Sequence, residues 1–286
     1  MGRSLIALLG MGNMGGILLK ALASLPSATP GGITVFDADS SRLKFGKKMK
    51  GLHAASSARK AVEGKSLVVL AVKPQNMKEL LQDIQEALSP EALIVSVAAG
   101  IATTTIQAWL GRTQKVVRAM PNTPAQIKTG MTALCFSPEV GREERGTSRR
   151  LFNRIGQTVV VPEEQMDAVT ALSGSGPAYL FLFADSLVEG GAKAGLPRET
   201  AYKMVTQTIF GAVKMLIKTG LSPEEQIRKV ASPGGTTVAG LSALEKGKFR
   251  ETVISCVEAA AVRARELGQA SGQESSGVKK GKEGSS

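Results

Sequence analysis

The chain has 286 residues, 43% hydrophobic and 21% charged: long enough for about two domains with cores that need no staples, and too apolar for global disorder. One histidine, two widely spaced cysteines (Cys135 and Cys256) and 4% aromatics exclude a multi-histidine metal centre and argue against a disulfide scaffold, a cysteine zinc site or a base-stacking nucleic-acid platform. The net charge of +12 sits in the first half: 21 Lys+Arg oppose 10 Asp+Glu up to Val161, against 15 and 14 beyond it, which suits a phosphorylated ligand, a nucleic acid or a membrane surface.

Leu5 to Leu9 is a short apolar run that predicts a strand buried on both faces. It is too short for a signal-peptide core, and the longest uncharged stretch, Ala92 to Gly111, is too polar to span a membrane; the expectation is a cytoplasmic protein with no membrane partner. A helix is predicted over 13–25, then a loop marked by Pro26, Pro30, Gly31 and Gly32. A second strand over 33–36 ends at Asp37, and a basic helix is predicted over 40–50, with His53 in a loop. Leu67 to Val72 forms a third strand, stopped by Lys73-Pro74. Met77, Leu80, Leu81, Ile84 and Leu88 recur at helical spacing, 92–97 and 115–118 are further strands, and 132–136 and 158–161 are strands at the sheet edge. Strands alternating with helices predict an α/β fold with a doubly wound parallel sheet.

Beyond Pro162 the chain reads as helical only. An apolar helix is predicted over 178–194, a 3.6-residue period runs from Ala201 to Ile217, and another from Val253 to Ala264. Ser222-Pro223-Glu224-Glu225 is a helix start with a capping box. The expected domains are 1–161 and 162–267. Ten of the nineteen residues from Gly268 to Ser286 are Gly or Ser, so that segment is expected to be a disordered tail.

Gly10-Met11-Gly12-Asn13-Met14-Gly15 is a GxGxxG directly after a strand and opening a helix, the pattern of a Rossmann-type dinucleotide site. The first glycine permits the turn, the second lets backbone approach a pyrophosphate, and the third lets helix pack on strand. Asp37, 22 positions after Gly15, is placed to accept from a ribose 2′-hydroxyl and favours NAD; Arg42, Lys44, Lys47, Lys48 and Lys50 either neutralise the 2′-phosphate of NADP or form a solvated helix face. Lys73 lies at the carboxyl edge of the sheet, touching cofactor or solvent. Ser173-Gly174-Ser175-Gly176-Pro177 and Ser232-Pro233-Gly234-Gly235-Thr236-Thr237 offer hydroxyls and backbone N–H groups to a small carboxylate, or serve only as caps and turns.

These segments, with Ala71-Val72-Lys73-Pro74-Gln75, Ser96-Val97-Ala98-Ala99-Gly100, Arg118-Ala119-Met120-Pro121-Asn122-Thr123-Pro124 and Asp167 to Tyr179, resemble the pyrroline-5-carboxylate reductase family over about residues 4–267. The resemblance implies reduction of 1-pyrroline-5-carboxylate to L-proline with NADPH or NADH, and a Rossmann domain followed by a helical dimerisation and substrate domain in a homo-oligomer built from dimers. By position it implies that Gly10, Gly12, Asn13, Met14, Val72, Lys73 and Ala99 contact the cofactor, and that Glu163, Ser232, Thr236 and Thr237 contact substrate. Thr237 then sits against the ring nitrogen and is the catalytic candidate, with no metal. Asp37-Ala38 and Ala58 depart from the family's usual residues and weaken an expectation of strict NADPH use. The alternatives are another imine reductase, or a β-hydroxyacid dehydrogenase with a lysine acid/base among Lys193, Lys203, Lys214 and Lys218. A non-catalytic nucleotide-sensing or nucleic-acid-binding protein is disfavoured by the low aromatic content and the lack of a basic recognition motif.

Overall fold

The computed structural model describes residues 4–25, 28–43 and 51–273. By contact density the chain divides into two compact units, 1–174 together with 260–286, and 175–259.

The first unit is built on an eight-stranded sheet ordered β3-β2-β1-β4-β5-β6-β7-β8. The strands are β1 (Ser4–Leu9), β2 (Ala28–Phe36), β3 (Leu52–Ala54), β4 (Leu67–Leu70), β5 (Leu93–Ser96), β6 (Lys115–Met120), β7 (Gly130–Phe136) and β8 (Gly156–Val160). The first six run parallel; β7 turns antiparallel to β6, and β8 runs parallel to β7. The helices of this unit are α1 (Asn13–Ala23), α2 (Ala58–Val62), α3 (Met77–Ile84), α4 (Thr103–Leu110), α5 (Arg142–Phe152) and α6 (Met166–Val169).

Alternation along β1 explains how one continuous apolar run serves two cores. Ile6 and Leu8 face a cluster with Leu18, Leu22 and Phe152, while Ala7 and Leu9 face one with Ile84, Ile106 and Trp109. Ile6, Leu8 and Leu9 are fully buried, each stabilising the fold by about 1.5–3 kcal/mol. The chain order reverses across β1 and β4, so their carboxyl ends open the crevice in which such sheets bind ligands.

The second unit contains α7 (Gly176–Lys193), α8 (Arg198–Thr219), α9 (Pro223–Val230), α10 (Thr236–Lys246) and the first part of α11 (Phe249–Gln273). The capping box at α9 forms as expected: Ser222 Oγ accepts from the Glu225 N–H, and the Ser222 N–H donates to Glu225 Oε2 at 2.8 Å. Phe181, Leu182, Phe210 and Ile217 are all more than half exposed on α7 and α8. No helix among the described residues is long and apolar enough to cross a membrane.

Several expectations are corrected. Pro30, Gly31 and Gly32 lie within β2, not in a loop; the strand tolerates them because its pairing with β1 shifts between Ser4↔Ala28 and Ile6↔Ile33. His53 is on β3, whose three residues are too few to show a period. Residues 40–43 form a single 3-10 turn, and 44–50 of the expected basic helix lie outside the described residues. α11 continues through residues 268–273, which were expected to be disordered; 274–286 lie outside the described residues. Residues 163–174 pack with the sheet's unit, with Met166 buried against Ala133 and Cys135 of β7. α5 went unpredicted because its mean composition is strongly polar and it buries only Ser148, Leu151 and Phe152.

Candidate active site

The carboxyl ends of β1, β2, β4 and β5 carry the predicted cofactor residues side by side. The Gly10 N–H donates to the Phe36 carbonyl at 2.8 Å, the Ala71 N–H to the Leu9 carbonyl at 2.7 Å, and the Val97 N–H to the Leu70 carbonyl at 3.0 Å. Gly10 has φ +95°, and a Cβ there would stand 2.5 Å from the Ala71 carbonyl oxygen; glycine is required by both conformation and space. A Cβ on Gly15 would stand 2.0 Å from the Gly10 carbonyl oxygen, so α1 reaches the turn only because that side chain is absent. Gly12 is different. A Cβ there would meet nothing closer than Arg42 Nη1 at 4.0 Å.

Gly12 is the N-cap of α1, with no side-chain cap and no acidic residue in the first turn. The first N–H groups of a helix have no intrahelical acceptor and carry the positive end of its dipole. An open glycine, an uncapped helix start and a crevice between β1 and β4 together fit a dinucleotide pyrophosphate. Asn13 is exposed, Met14 half-buried against the core, Val72 and Ala99 half-buried and Lys73 exposed around this turn. Ala58 is buried in the second core cluster.

Asp37 closes the turn from the end of β2. Its Oδ2 accepts from the Met11 N–H at 2.6 Å and its Oδ1 from the Asp39 N–H at 2.8 Å. Arg42, the one member of the basic run in the described residues, places Nη1 3.8 Å from Asp37 and Nε 3.2 Å from Asp39.

Glu163 lies in a charged network that the sequence did not reveal. Its Oε2 accepts from the Thr103 N–H at 3.1 Å and Thr103 Oγ1–H at 2.6 Å; its Oε1 accepts from Arg118 Nη1 at 2.8 Å. Arg118, on β6, also lies 3.7 Å from Asp167. Burial pushes the Glu163 carboxyl up, and the bonds from Thr103 and Arg118 outweigh it, leaving Glu163 below the ordinary carboxylate range. The neighbouring Cys135 thiol is pushed up to about 11 by burial and by Glu163. The carboxylate thus caps the start of α4, four residues after Ala99, and neutralises an arginine inside the sheet. The signal for this was an arginine in the apolar run Val116-Val117-Arg118-Ala119-Met120: a buried guanidinium demands a carboxylate partner.

A second tie joins the loop after β6 to the π-helical turn Thr170–Gly174: Asn122 Nδ2 donates to the Ser173 carbonyl at 3.2 Å, and Asn122 Oδ1 accepts from the Met131 N–H at 2.9 Å. Such turns recur at functional sites.

In the helical unit, Ser232, Thr236 and Thr237 gather at the start of α10. The Gly235 N–H donates to the Ser232 carbonyl at 3.0 Å, and Gly235 caps the helix with neither a side-chain cap nor an acidic first turn. This contrasts with the closed capping box of α9. Thr236 and Ser232 are exposed and Thr237 half-buried, an arrangement able to receive a small anion. Lys193, Lys203, Lys214 and Lys218 are exposed on α7 and α8; Lys203 pairs with Glu199 and Lys214 lies over the Phe210 ring. No group of three His, Cys, Asp or Glu side chains able to hold a metal occurs among the described residues.

The chain was compared with known proteins as a whole. Residues 163–267 match the sequence model described as pyrroline-5-carboxylate reductase dimerisation, and residues 5–100 the one described as NADP oxidoreductase, coenzyme F420-dependent. The chain is 42% identical to a pyrroline-5-carboxylate reductase of Arabidopsis thaliana, over 77% of this chain and 79% of that one. A solved pyrroline-5-carboxylate reductase from Coxiella burnetii is 35% identical with a TM-score of 0.85, covering 93% of this chain and 99% of its own. The Plasmodium falciparum pyrroline carboxylate reductase with NADP bound is 32% identical with a TM-score of 0.83, covering 94% and 99%.

Proposed function

The chain belongs to the pyrroline-5-carboxylate reductase family and reduces 1-pyrroline-5-carboxylate to L-proline with NAD(P)H, the closing step of proline biosynthesis; on that premise we propose how its residues divide the work. The observation that carries the reading is the open, uncapped start of α1 behind Gly10, at the point where the sheet's strand order reverses. Gly10, Gly12, Asn13 and Met14 receive the pyrophosphate, and Val72, Lys73 and Ala99 border the rest of the cofactor. When bound, the nicotinamide supplies a hydride.

The substrate needs little acid–base help. Its cyclic imine is readily protonated, and the iminium carbon accepts hydride while the nitrogen keeps the proton, giving the secondary amine. The protein's task is alignment, which is worth several kcal/mol of barrier without any strong general acid. Thr237 Oγ1 holds the ring nitrogen, and Ser232 with the backbone N–H groups around Thr236 holds the carboxylate. Glu163 serves as a positioning residue: its oxygens already hold Thr103 and Arg118, and through Thr103 it fixes the segment that carries Ala99.

The protein works in the cytoplasm as a homo-oligomer built from dimers of the helical segment, with no membrane or nucleic-acid partner. The matched dimerisation segment and the exposed apolar side chains of α7 and α8 support the oligomer. The test is nicotinamide absorbance with pyrroline-5-carboxylate, run with each cofactor after chelator treatment. Turnover to proline is expected with both NADPH and NADH. Failure with both, on folded protein, rejects the reading.

A further inference from the structure

We propose that Gly268, near the end of α11, is a positioning residue for hydride transfer: its bare backbone backs the turn at Ala99 and Gly100 and sets how far that turn reaches into the cofactor crevice. The proposal rests on the cofactor placement above. The turn follows β5 and is anchored on both sides. Ala98 and Ile101 are buried in the second core cluster, and Glu163 accepts from the N–H and the hydroxyl of Thr103. Ala99 and Gly100, between these anchors, are only half-buried. The position of this tip depends on what stands behind it.

Gly268 stands there. From residue 260 onward α11 belongs to the sheet's unit, and Ala264, one turn before Gly268, is buried. Gly268 meets Gly100 backbone to backbone. A Cβ on Gly268 would stand 2.8 Å from the Gly100 carbonyl oxygen, and a Cβ on Gly100 3.1 Å from the Gly268 nitrogen. Gly100 also has φ +76°, a conformation that favours glycine. A helix interior ordinarily disfavours glycine relative to alanine; at 268 the missing side chain is what lets α11 touch the turn. The obstacle to a Cβ there is backbone, which cannot swing aside as a side chain does. Either the turn is pushed towards the cofactor, or α11 backs away and leaves the tip unsupported. In the strand order β5 lies across the β1–β4 crevice from β2 and Asp37, so on the placement above the turn borders the nicotinamide half of the dinucleotide. A misplacement of about 1 Å in such a site lowers a rate by on the order of a hundredfold.

The test compares Gly268→Ala, Gly268→Val and, as a control, Gln269→Ala at the exposed next position, all in the full chain. One readout is the single-turnover rate of NADPH oxidation by pyrroline-5-carboxylate with both at saturation. The other is titration calorimetry with 2′-phospho-ADP-ribose, the same nucleotide without its nicotinamide. Gly268→Ala is expected to lower the rate by about tenfold and Gly268→Val by about a hundredfold. The number of 2′-phospho-ADP-ribose sites and their affinity should stay within about threefold, and Gln269→Ala should change neither readout. An unchanged rate overturns the proposal. So does a loss of rate matched by an equal loss of nucleotide sites, which is what a helix contact with a structural role alone would give. If wild type neither binds the nucleotide nor turns over, the cofactor placement itself falls and this assignment with it, an outcome distinct from variants that match an active wild type. Should Gly268→Ala not fold, amide hydrogen exchange of wild type decides: residues 99–102 and 264–268 should slow together when NADPH binds, and slowing confined to 99–102 overturns the assignment.

Discussion

Arg118 and Glu163, 45 residues apart in sequence, meet at 2.8 Å inside the sheet's unit, with the arginine side chain 6% exposed and the glutamate 31%. The pair links β6 to the segment that leads into the helical domain, and Thr103 completes it at the start of α4. Removing one partner of a fully buried pair costs about 3–5 kcal/mol; the exposure of Glu163 reduces this, and Glu163→Gln is expected to cost about 2–3 kcal/mol at neutral pH. Since the folded protein holds Glu163 below its ordinary value, its stabilisation is complete above the unfolded carboxylate pKa of about 4.3 and fades as pH falls through the folded value. Urea melts of wild type and Glu163→Gln should therefore converge in acid. Lost activity with unchanged stability would instead place Glu163 against substrate.

Two glycines of one turn should respond oppositely. Gly15→Ala puts a Cβ 2.0 Å from a backbone oxygen and should destabilise by about 3 kcal/mol or more. Gly12→Ala finds open space and should change stability by less than about 1 kcal/mol while weakening cofactor binding. Thermal melts and nucleotide titration of both variants check this; equal stability losses would remove the argument that Gly12 is reserved for ligand.

Thr237→Ala should leave cofactor affinity nearly intact and lower kcat/KM for pyrroline-5-carboxylate by about one to two powers of ten, the scale of one hydrogen bond to a charged group. Steady-state kinetics with separate cofactor titration decide it. A matching loss of cofactor binding would make the start of α10 a structural element only.

Asp37→Ser removes the acceptor of the Met11 N–H and releases Arg42 from a carboxylate. The ratio of kcat/KM for NADPH over NADH should rise, and stability should fall by about 1–2 kcal/mol for the lost buried bond. An unmoved ratio would show that Asp37 faces only the turn.

The exposed apolar rows of α7 and α8 should be buried in the assembly. Sedimentation at micromolar concentration is expected to give an even-numbered oligomer, and Phe181→Asp or Ile217→Asp should dissociate it or make it insoluble. A monomeric wild type would contradict the dimer.

Much of this protein was legible without coordinates wherever the governing physics is local. Leu5 to Leu9 and Leu67 to Val72 read as strands because both faces of a parallel sheet are covered, the second ending in the structure at Leu70, and GxGxxG read as a phosphate turn because its place between a strand and a helix is a local pattern. Ser222 and Glu225 announced their capping box for the same reason: both partners lie within one helical turn. The tertiary structure alone decided what depends on partners far apart in the chain. Nothing near Glu163 in sequence names Thr103 or Arg118, 60 and 45 residues away, and only the register of β6 brings them together. Asp37 read as a ribose acceptor at the end of a strand, and only the fold shows that its Oδ2 also accepts from the Met11 N–H, 26 residues earlier. Arg42 was one cation among five until the fold set its guanidinium beside Asp37 and Asp39, since the partners of a charge are fixed only by the backbone around it.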